Sequence, residues 1–341
     1  MSDTVPLSRG AFTLSLDFEL IWGSLDLAGP KALAPAVRFE REVVIERLLL
    51  LLEEFEIPST WLVLGHLFLG RCDKRNGIAH PEIVRPRHAW HPDDWFRHDP
   101  CASEGSAPLF YGRSLVERIA GSRVPQEIGA HSFSHVIFGD PGCSRDTAEG
   151  EVTETLRAAG ELGLRPRSFA FPRNSVGHLD VLARHGFTCY RGPGLTWYER
   201  GGIAEQGGRA RSRRLAHIWD VALARTPPVV LPEREASGLW NLPGSMIYFP
   251  MHGVRRYVPL SRRVKRALRG LEAAERTRRV FHLWFHPTNL AAGSEAMFLG
   301  LRQILGAVRA LREQGRIEVL GMGGVVAKAQ GEELAKQAVL Q

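Results

Sequence analysis

The chain has 341 residues, 44% hydrophobic and 24% charged. That is ordinary globular composition, with length enough for a sizeable core. The formal net charge is +7, but seven basic residues (Arg255, Arg256, Arg262, Arg263, Lys265, Arg266 and Arg269) fall between 255 and 269 with no acid among them. The excess is local, so a nucleic-acid partner is not expected. Cys72, Cys101, Cys143 and Cys189 form no CxxC and read as free thiols of a reduced compartment. The start, Met-Ser-Asp-Thr-Val-Pro, lacks the charged and apolar parts of a signal peptide. The apolar run 48–52 is far too short to span a bilayer. A soluble, cytoplasmic protein is expected.

In chain order, 12–16 reads as a strand, 41–56 as an amphipathic helix and 60–65 as a strand. A short helix at 115–120 precedes a strand at 126–130. Helix 147–162, strand 168–171, helix 176–185 stopped by Gly186, and strand 187–190 follow. Near the end come strand 280–285, helix 296–314 stopped by Gly315, and strand 317–320. Alternating β and α units imply a parallel sheet. Closure into a barrel is favoured because the chemically distinctive residues sit just after strands, with a doubly wound open sheet as the alternative. No GxGxxG follows a strand, so the usual dinucleotide fingerprint is missing.

Two segments break the alternation. Residues 71–111 form a loop-like insertion carrying Trp90, Trp95, Phe96, Phe110 and Tyr111. A loop this long is usually functional or disordered, and its aromatics argue against disorder. It reads as a lid or substrate wall, the alternative being a decoration remote from the site. His80, His88, His91 and His98 lie in it at irregular spacing and read as solvated loop histidines. Residues 199–214 are Gly- and Arg-rich and read as mobile surface. In the basic stretch 255–269 and just beyond, Val264, Leu268 and Leu271 recur at helical spacing. This fits a docked helix with a cationic outer face, or a peripheral contact with an anionic membrane. The chain is expected to form one catalytic domain over 1–341, with a helix–strand–helix extension from 296.

The sharpest signal is Gly-Ala-His131-Ser-Phe-Ser-His135, read with Ser-Leu-Asp17-Phe-Glu19. Both runs follow short apolar strands. Two imidazoles four residues apart can point at one spot, and a carboxylate from another strand end would complete a ligand set for a divalent metal such as zinc. The competing reading is that the histidines are unrelated surface groups.

In order along the chain, Asp17-x-Glu19, His131-Ser-Phe-Ser-His135, Phe171-Pro172-Arg173-Asn174 and Leu283-Trp284-Phe285-His286-Pro287 resemble the motifs of the polysaccharide deacetylase (NodB-homology, carbohydrate esterase family 4-like) family. The resemblance implies an α/β fold, a distorted, incomplete (β/α) barrel of about seven strands. It implies one divalent metal, zinc first, and removal of an N-acyl group, chiefly N-acetyl, from an amino sugar in a glycan or glycan precursor. Carried over, it makes Glu19, His131 and His135 the metal ligands, Asp17 the general base and His286 the general acid. Arg173 would hydrogen-bond and orient Asp17. Trp95, Tyr111 and Asn174 are expected to contact substrate. The first motif departs from the usual Asp-x-Asp by carrying the longer Glu19, and Arg173 follows its proline where the family's arginine precedes it. The family's fourth motif has no clean match; Trp219-Asp220 and Trp240-Asn241 are candidates. Two alternatives stay open, hydrolysis of a non-sugar amide or cyclic imide or ureide, and an inactive carbohydrate-binding protein on the same fold. A lipid-linked substrate would suit a position at the inner face of the membrane. The oligomeric state is not legible.

Overall fold

Strands and helices alternate through the computed structural model, which describes residues 3–4, 7–196 and 208–339. The first half comprises β1 (Asp3–Thr4), β2 (Gly10–Phe18), α1 (Pro30–Phe39), α2 (Ile45–Glu54), β3 (Thr60–Val63), α3 (Arg113–Ala120), β4 (Glu127–Ala130), α4 (Arg145–Gly160), β5 (Ser168–Ala170), α5 (Leu179–Arg184) and β6 (Cys189–Arg191). The second comprises α6 (Gly208–Ala222), β7 (Glu233–Arg234), β8 (Trp240–Asn241), β9 (Met246–Ile247), α7 (Leu260–Thr277), β10 (Val280–Phe285), α8 (Ser294–Glu313), β11 (Ile317–Val319) and α9 (Met322–Val339).

All described strands join one curled sheet. Its parallel run is β9–β10–β2–β3–β4–β5–β6–β8, and β7 and β1 extend it antiparallel beyond β8. β11 also pairs parallel with β2, at Gly10–Phe12, so the C-terminal helix–strand–helix is built into the sheet. The result is a curled half-barrel, the distorted (β/α) barrel expected, but with nine parallel strands rather than about seven. The surplus comes from β8 and β9, two residues each, too short to leave an alternating pattern.

β2 shows why the interior is polar. Phe12, Leu14, Leu16 and Phe18 point into the main apolar cluster with Leu48, Leu52, Trp61 and Leu301. The alternate residues Thr13, Ser15 and Asp17 point the other way and are equally buried. β10 lies in register, Trp284 opposite Ser15, and contributes His282 to the same inner face. A strand with both faces buried reads as continuous core, so the polar side chains on its inner face mark a site rather than a solvent edge.

Local differences from the sequence reading have identifiable causes. The helix expected over 41–56 continues from α1 through a single π turn at Glu40–Val44. Helix α5 starts at Leu179 because His178 adopts a left-handed conformation. In the basic stretch, α7 docks through Val264, Ala267 and Leu271, but Arg263 and Arg266 are also buried. Arg263 donates to the carbonyls of Phe249 and Arg255, each at 2.6 Å, and lies over the Phe249 ring. The cationic outer face is therefore narrower than the sequence suggested. Part of the 199–214 segment lies outside the described residues. Among the described residues, no helix is long and apolar enough to cross a membrane.

Candidate active site

Asp17 is the last inward-facing residue of β2, and Glu19 follows the strand's end. Both are buried, at 3% and 7% exposure. Gly23, one turn later, passes so close that a Cβ there would overlap the Glu19 carboxylate. His131 follows β4, its amide held by the carbonyl of Val63 at the end of β3. The loop from His131 to His135 turns sharply, with Ser132 and His135 both at positive φ. Such backbone persists only when surroundings over-determine it. Here the determinant is Glu151, buried on α4, which accepts from the amides of Phe133 and Ser134 (both 2.8 Å) and from the Ser134 hydroxyl (2.5 Å).

His131 Nε2 and His135 Nε2 converge on one oxygen, Glu19 Oε1, at 2.8 and 3.4 Å. The short distance to His131 lacks hydrogen-bond geometry. Both ring nitrogens of His131 and Nδ1 of His135 are buried without a hydrogen-bond partner. Orphaned buried donors and acceptors are costly, and an imidazole pair aimed with a carboxylate at one point fits a divalent cation. His286, directly after β10, stands opposite, its Nε2 3.5 Å from Glu19 Oε1 and 3.7 Å from Asp17 Oδ2. Its side chain is 29% exposed and opens to a cavity of about 530 Å³. Leu27, Leu33, Val37 and Ile247 give that cavity an apolar wall; Arg173, His252 and Asn289 supply polar groups.

Asp17 is held by a residue that the motifs did not point to. Arg191, the last residue of β6, makes two parallel hydrogen bonds to its carboxylate, 2.6 Å each. The guanidinium also lies 4.2 Å over the Trp284 ring and donates to Ser15 Oγ at 3.0 Å. Ser15 Oγ sits 2.8 Å from His282 Nε2, and His282 Nδ1 is 3.1 Å from the carbonyl of Pro243. That carbonyl can only accept, so Nδ1 carries the proton, Nε2 accepts from Ser15, and Ser15 accepts from Arg191.

The charges follow from this packing. Burial alone would raise the Asp17 carboxyl, but the Arg191 charge and hydrogen bonds hold it below its ordinary value. Burial likewise disfavours ionised Glu19, yet the His286 and His135 charges hold it well below the usual range. Burial opposes a charge on His286, but Glu19 and Asp17 overcome it and push the imidazole up to about 9. Burial lowers His135, despite the Glu19 charge. Glu40, in the π turn, is pushed up to about 8, first by burial and then by the Glu19 charge.

No protein-family model and no curated protein sequence matches the chain. Solved structures do match. A Mycobacterium smegmatis protein named as a polysaccharide deacetylase superposes with TM-score 0.62 at 16% identity, over 96% of this chain and 94% of that one. A Pseudomonas aeruginosa PAO1 protein named likewise gives 0.56 at 9% identity, over 93% and 90%. Puue allantoinase gives 0.54 at 10%, over 93% and 89%. This is the polysaccharide deacetylase fold.

On that fold, Asp17, Glu19, His131, His135 and His286 are brought together, Arg173 stands at the edge of their cavity, and Tyr111 does not reach it. Arg173 donates to Asp26 at 2.6 and 2.8 Å and borders the cavity; the contact with Asp17 expected of it belongs to Arg191. Arg173 and Asn174 both lie at positive φ in the tight turn that follows Phe171. Tyr111 is fully buried, its hydroxyl bound to Cys72 and the amide of Ala102, so it does not wall the cavity. Trp95 is part-buried, donates to the carbonyl of Ser134 and lines a small adjoining pocket with Trp22, Asp26 and His91. Of the fourth-motif candidates, Trp219 is largely exposed on α6, and Trp240 is buried in β8. Arg191 could have been found by the rule that pointed to Asp17, a lone charge ending an apolar strand. Glu40 and Glu151 sit inside helices with nothing in sequence to distinguish them.

Proposed function

We propose that the protein is a metal-dependent amide hydrolase that removes an N-acyl group, N-acetyl first, from an amino sugar in a glycan or glycan precursor. One observation carries this reading. A carboxylate clamped by an arginine, a His/His/Glu set with orphaned nitrogens, and a partly exposed histidine meet at the head of one cavity. The fold, shared with proteins named as polysaccharide deacetylases, supports the substrate class.

Glu19, His131 and His135 would hold the metal. A divalent ion of this kind, zinc first, polarises an acyl carbonyl and acidifies water. Asp17, kept ionised by Arg191, is placed to take a proton from the attacking water. His286, kept protonated by the neighbouring carboxylates, is placed to protonate the departing nitrogen. Arg191 fixes Asp17 in one orientation and so acts through it. A binding protein needs neither base nor acid, and retention of both favours an enzyme. The narrowed cationic face of α7 gives the expected membrane contact through 255–269 little support.

The test is mass-spectrometric detection of released acetate or formate from a panel of N-acylated amino sugars, free, nucleotide-linked and lipid-linked, with the Asp17→Asn variant as control. Allantoin belongs in the panel. Turnover of the cyclic ureide with none of the sugars would keep the amide-hydrolase chemistry and overturn the sugar. No turnover on any member, by metal-loaded protein, would leave the binding protein.

A further inference from the structure

The insertion 71–111 contains no α-helix and only isolated bridges, Arg71 with Ser103 and Arg75 with Ile78. A segment this long and irregular, packed on a compact domain, needs something to fix it. Four of its contacts meet at one buried point. His66, in the turn after β3, supplies Nε2; Cys72, His80 and Asp99, all from the insertion, supply Sγ, Nε2 and a carboxylate oxygen. The four ligand atoms lie within 4.8 Å of one another. His66 Nε2 and His80 Nε2 approach the same oxygen, Asp99 Oδ2, at 3.1 and 2.9 Å. Cys72 Sγ is 3.8 Å from His66 Nε2 and 3.6 Å from Asp99 Oδ2. Ligands about 2.0–2.3 Å from a tetrahedral zinc lie roughly 3.3–3.8 Å from each other, so small side-chain adjustments close the set.

Proton counting sharpens the case. His66 Nδ1 is 3.1 Å from the carbonyl of Phe110, which only accepts, so Nδ1 carries the proton. In the neutral ring Nε2 is then a bare lone pair, facing an oxygen of Asp99 that also only accepts when ionised. Both residues are nearly or wholly inaccessible to solvent. A cation must lie between them. A proton on His66 Nε2 would serve, with His80 Nε2–H donating to the same oxygen, whereas a metal would engage His66, His80, Cys72 and Asp99 together. Outer contacts are in place as well. Phe110 orients His66, the amide of Cys101 donates to Asp99 Oδ1 at 2.9 Å, and the Tyr111 hydroxyl lies 3.1 Å from Cys72 Sγ.

We infer that His66, Cys72, His80 and Asp99 form a second, structural metal site, of zinc type, that fastens the insertion to the barrel. Four protein ligands close the coordination, unlike the three-ligand set at the cavity. The staple lies under the catalytic loop. The rings of His66 and His80 pack on Phe133, between His131 and His135, at centroid distances of 5.5 and 5.0 Å. The amide of His66 donates to the carbonyl of Phe133 at 2.9 Å. The histidines read in sequence as solvated are thus partly core. His80 belongs to this cluster, and buried His88 pairs with Asp140 and stacks on Trp90.

The two sites differ in one testable property, since only the second has a thiolate. Metal-stripped wild-type protein, kept reduced, is titrated with cobalt(II) and followed in the near ultraviolet. The expected result is a thiolate-to-cobalt charge-transfer band with about one equivalent bound per chain at this site. The band persists in His131→Ala and disappears in Cys72→Ser. Zinc analysis of His131→Ala should still find about one equivalent, removable by chelator with a fall in Tm. No charge-transfer band on the wild-type protein would overturn the site, leaving a His–Asp–His hydrogen-bond network. Mapping of a disulfide between Cys72 and the neighbouring Cys101 in protein purified under reducing conditions would overturn it equally. Because the titration is made on the wild-type chain, it stands even if Cys72→Ser fails to fold.

Discussion

Arg191 grips Asp17 through two parallel hydrogen bonds of 2.6 Å, with the pair at 1% and 3% side-chain exposure. A bidentate guanidinium–carboxylate pair fixes direction as well as charge. Arg191→Lys keeps the charge and loses the fork, and is expected to lower kcat roughly tenfold or more without changing metal content. Arg191→Ala strands a buried carboxylate, at a cost of about 3–5 kcal/mol in stability. It also raises the Asp17 pKa, so the acidic limb of the rate profile moves to higher pH. Arg173→Ala should do none of this, because its partner is Asp26. A loss of kcat in Arg173→Ala equal to that in Arg191→Lys would return the orienting role to Arg173.

Removing a ligand should separate metal from fold. His131→Ala and His135→Ala are each expected to lose the metal at the cavity and the activity together, while the far-ultraviolet CD spectrum stays native. Elemental analysis decides this. Metal content that ignores both substitutions would remove the cation from Glu19, His131 and His135.

His286 is raised to about 9 by Glu19 and Asp17 working against burial. As a general acid it acts protonated, so its contribution is present below its pKa and lost as pH rises through it. A cation at Glu19 would offset part of that carboxylate's field and bring the limb down. His286→Ala should lower kcat on the order of 10²-fold and abolish the alkaline limb, leaving the acidic limb of Asp17 in place. An unchanged alkaline limb in the variant would assign the proton donor elsewhere.

Much of this was legible because strand ends and helical spacing are local signals. Strand 280–285 is found with the bounds read from its apolar run, and Asp17, Glu19, His131, His135 and His286 all follow such runs. What was not legible depends on tertiary approach. Arg191 and Arg173 look alike in sequence, and only the turn at positive φ after Pro172 sends Arg173 to Asp26. The insertion's histidines carry no periodic spacing because a loop, not a helix, brings His80 back to His66. Arg263 and Arg266 read as surface charge because sequence does not show the carbonyls of Phe249 and Arg255 waiting for Arg263 beneath α7.

Two of the insertion's aromatics, Tyr111 and Trp95, should now behave differently. Tyr111 is buried, and its hydroxyl meets Cys72 and the amide of Ala102. Tyr111→Phe is expected to lose about 0.5–1.5 kcal/mol of stability with KM unaltered. Trp95 is part-buried beside the loop carrying His135, and Trp95→Ala is expected to raise KM more than it lowers kcat. Thermal melts and steady-state kinetics on both variants check this. A raised KM in Tyr111→Phe at unchanged Tm would place its hydroxyl at the substrate.

The relay behind Arg191 carries its own pH signature. His282 is fully buried and neutral, its pKa pushed down to about 3, first by burial and then by the Arg191 charge. Unfolded, it titrates near its ordinary value of about 6.5. Between those two values the unfolded chain binds the extra proton, so stability falls as pH falls, at up to about 1.4 kcal/mol per unit. The contribution is fully present above about 6.5. Protonating His282 would also turn Nε2 into a donor, and Ser15 Oγ would then face donors from both His282 and Arg191. His282→Gln has no such proton to take up and can still meet Ser15. Denaturant melts of the two proteins at several pH values isolate the term, because every other group titrates in both. From pH about 6.5 to about 5 the wild type should lose roughly 2 kcal/mol more than the variant. Parallel curves would mean that His282 is not held neutral, and that it donates from both ring nitrogens, to Pro243 and to Ser15.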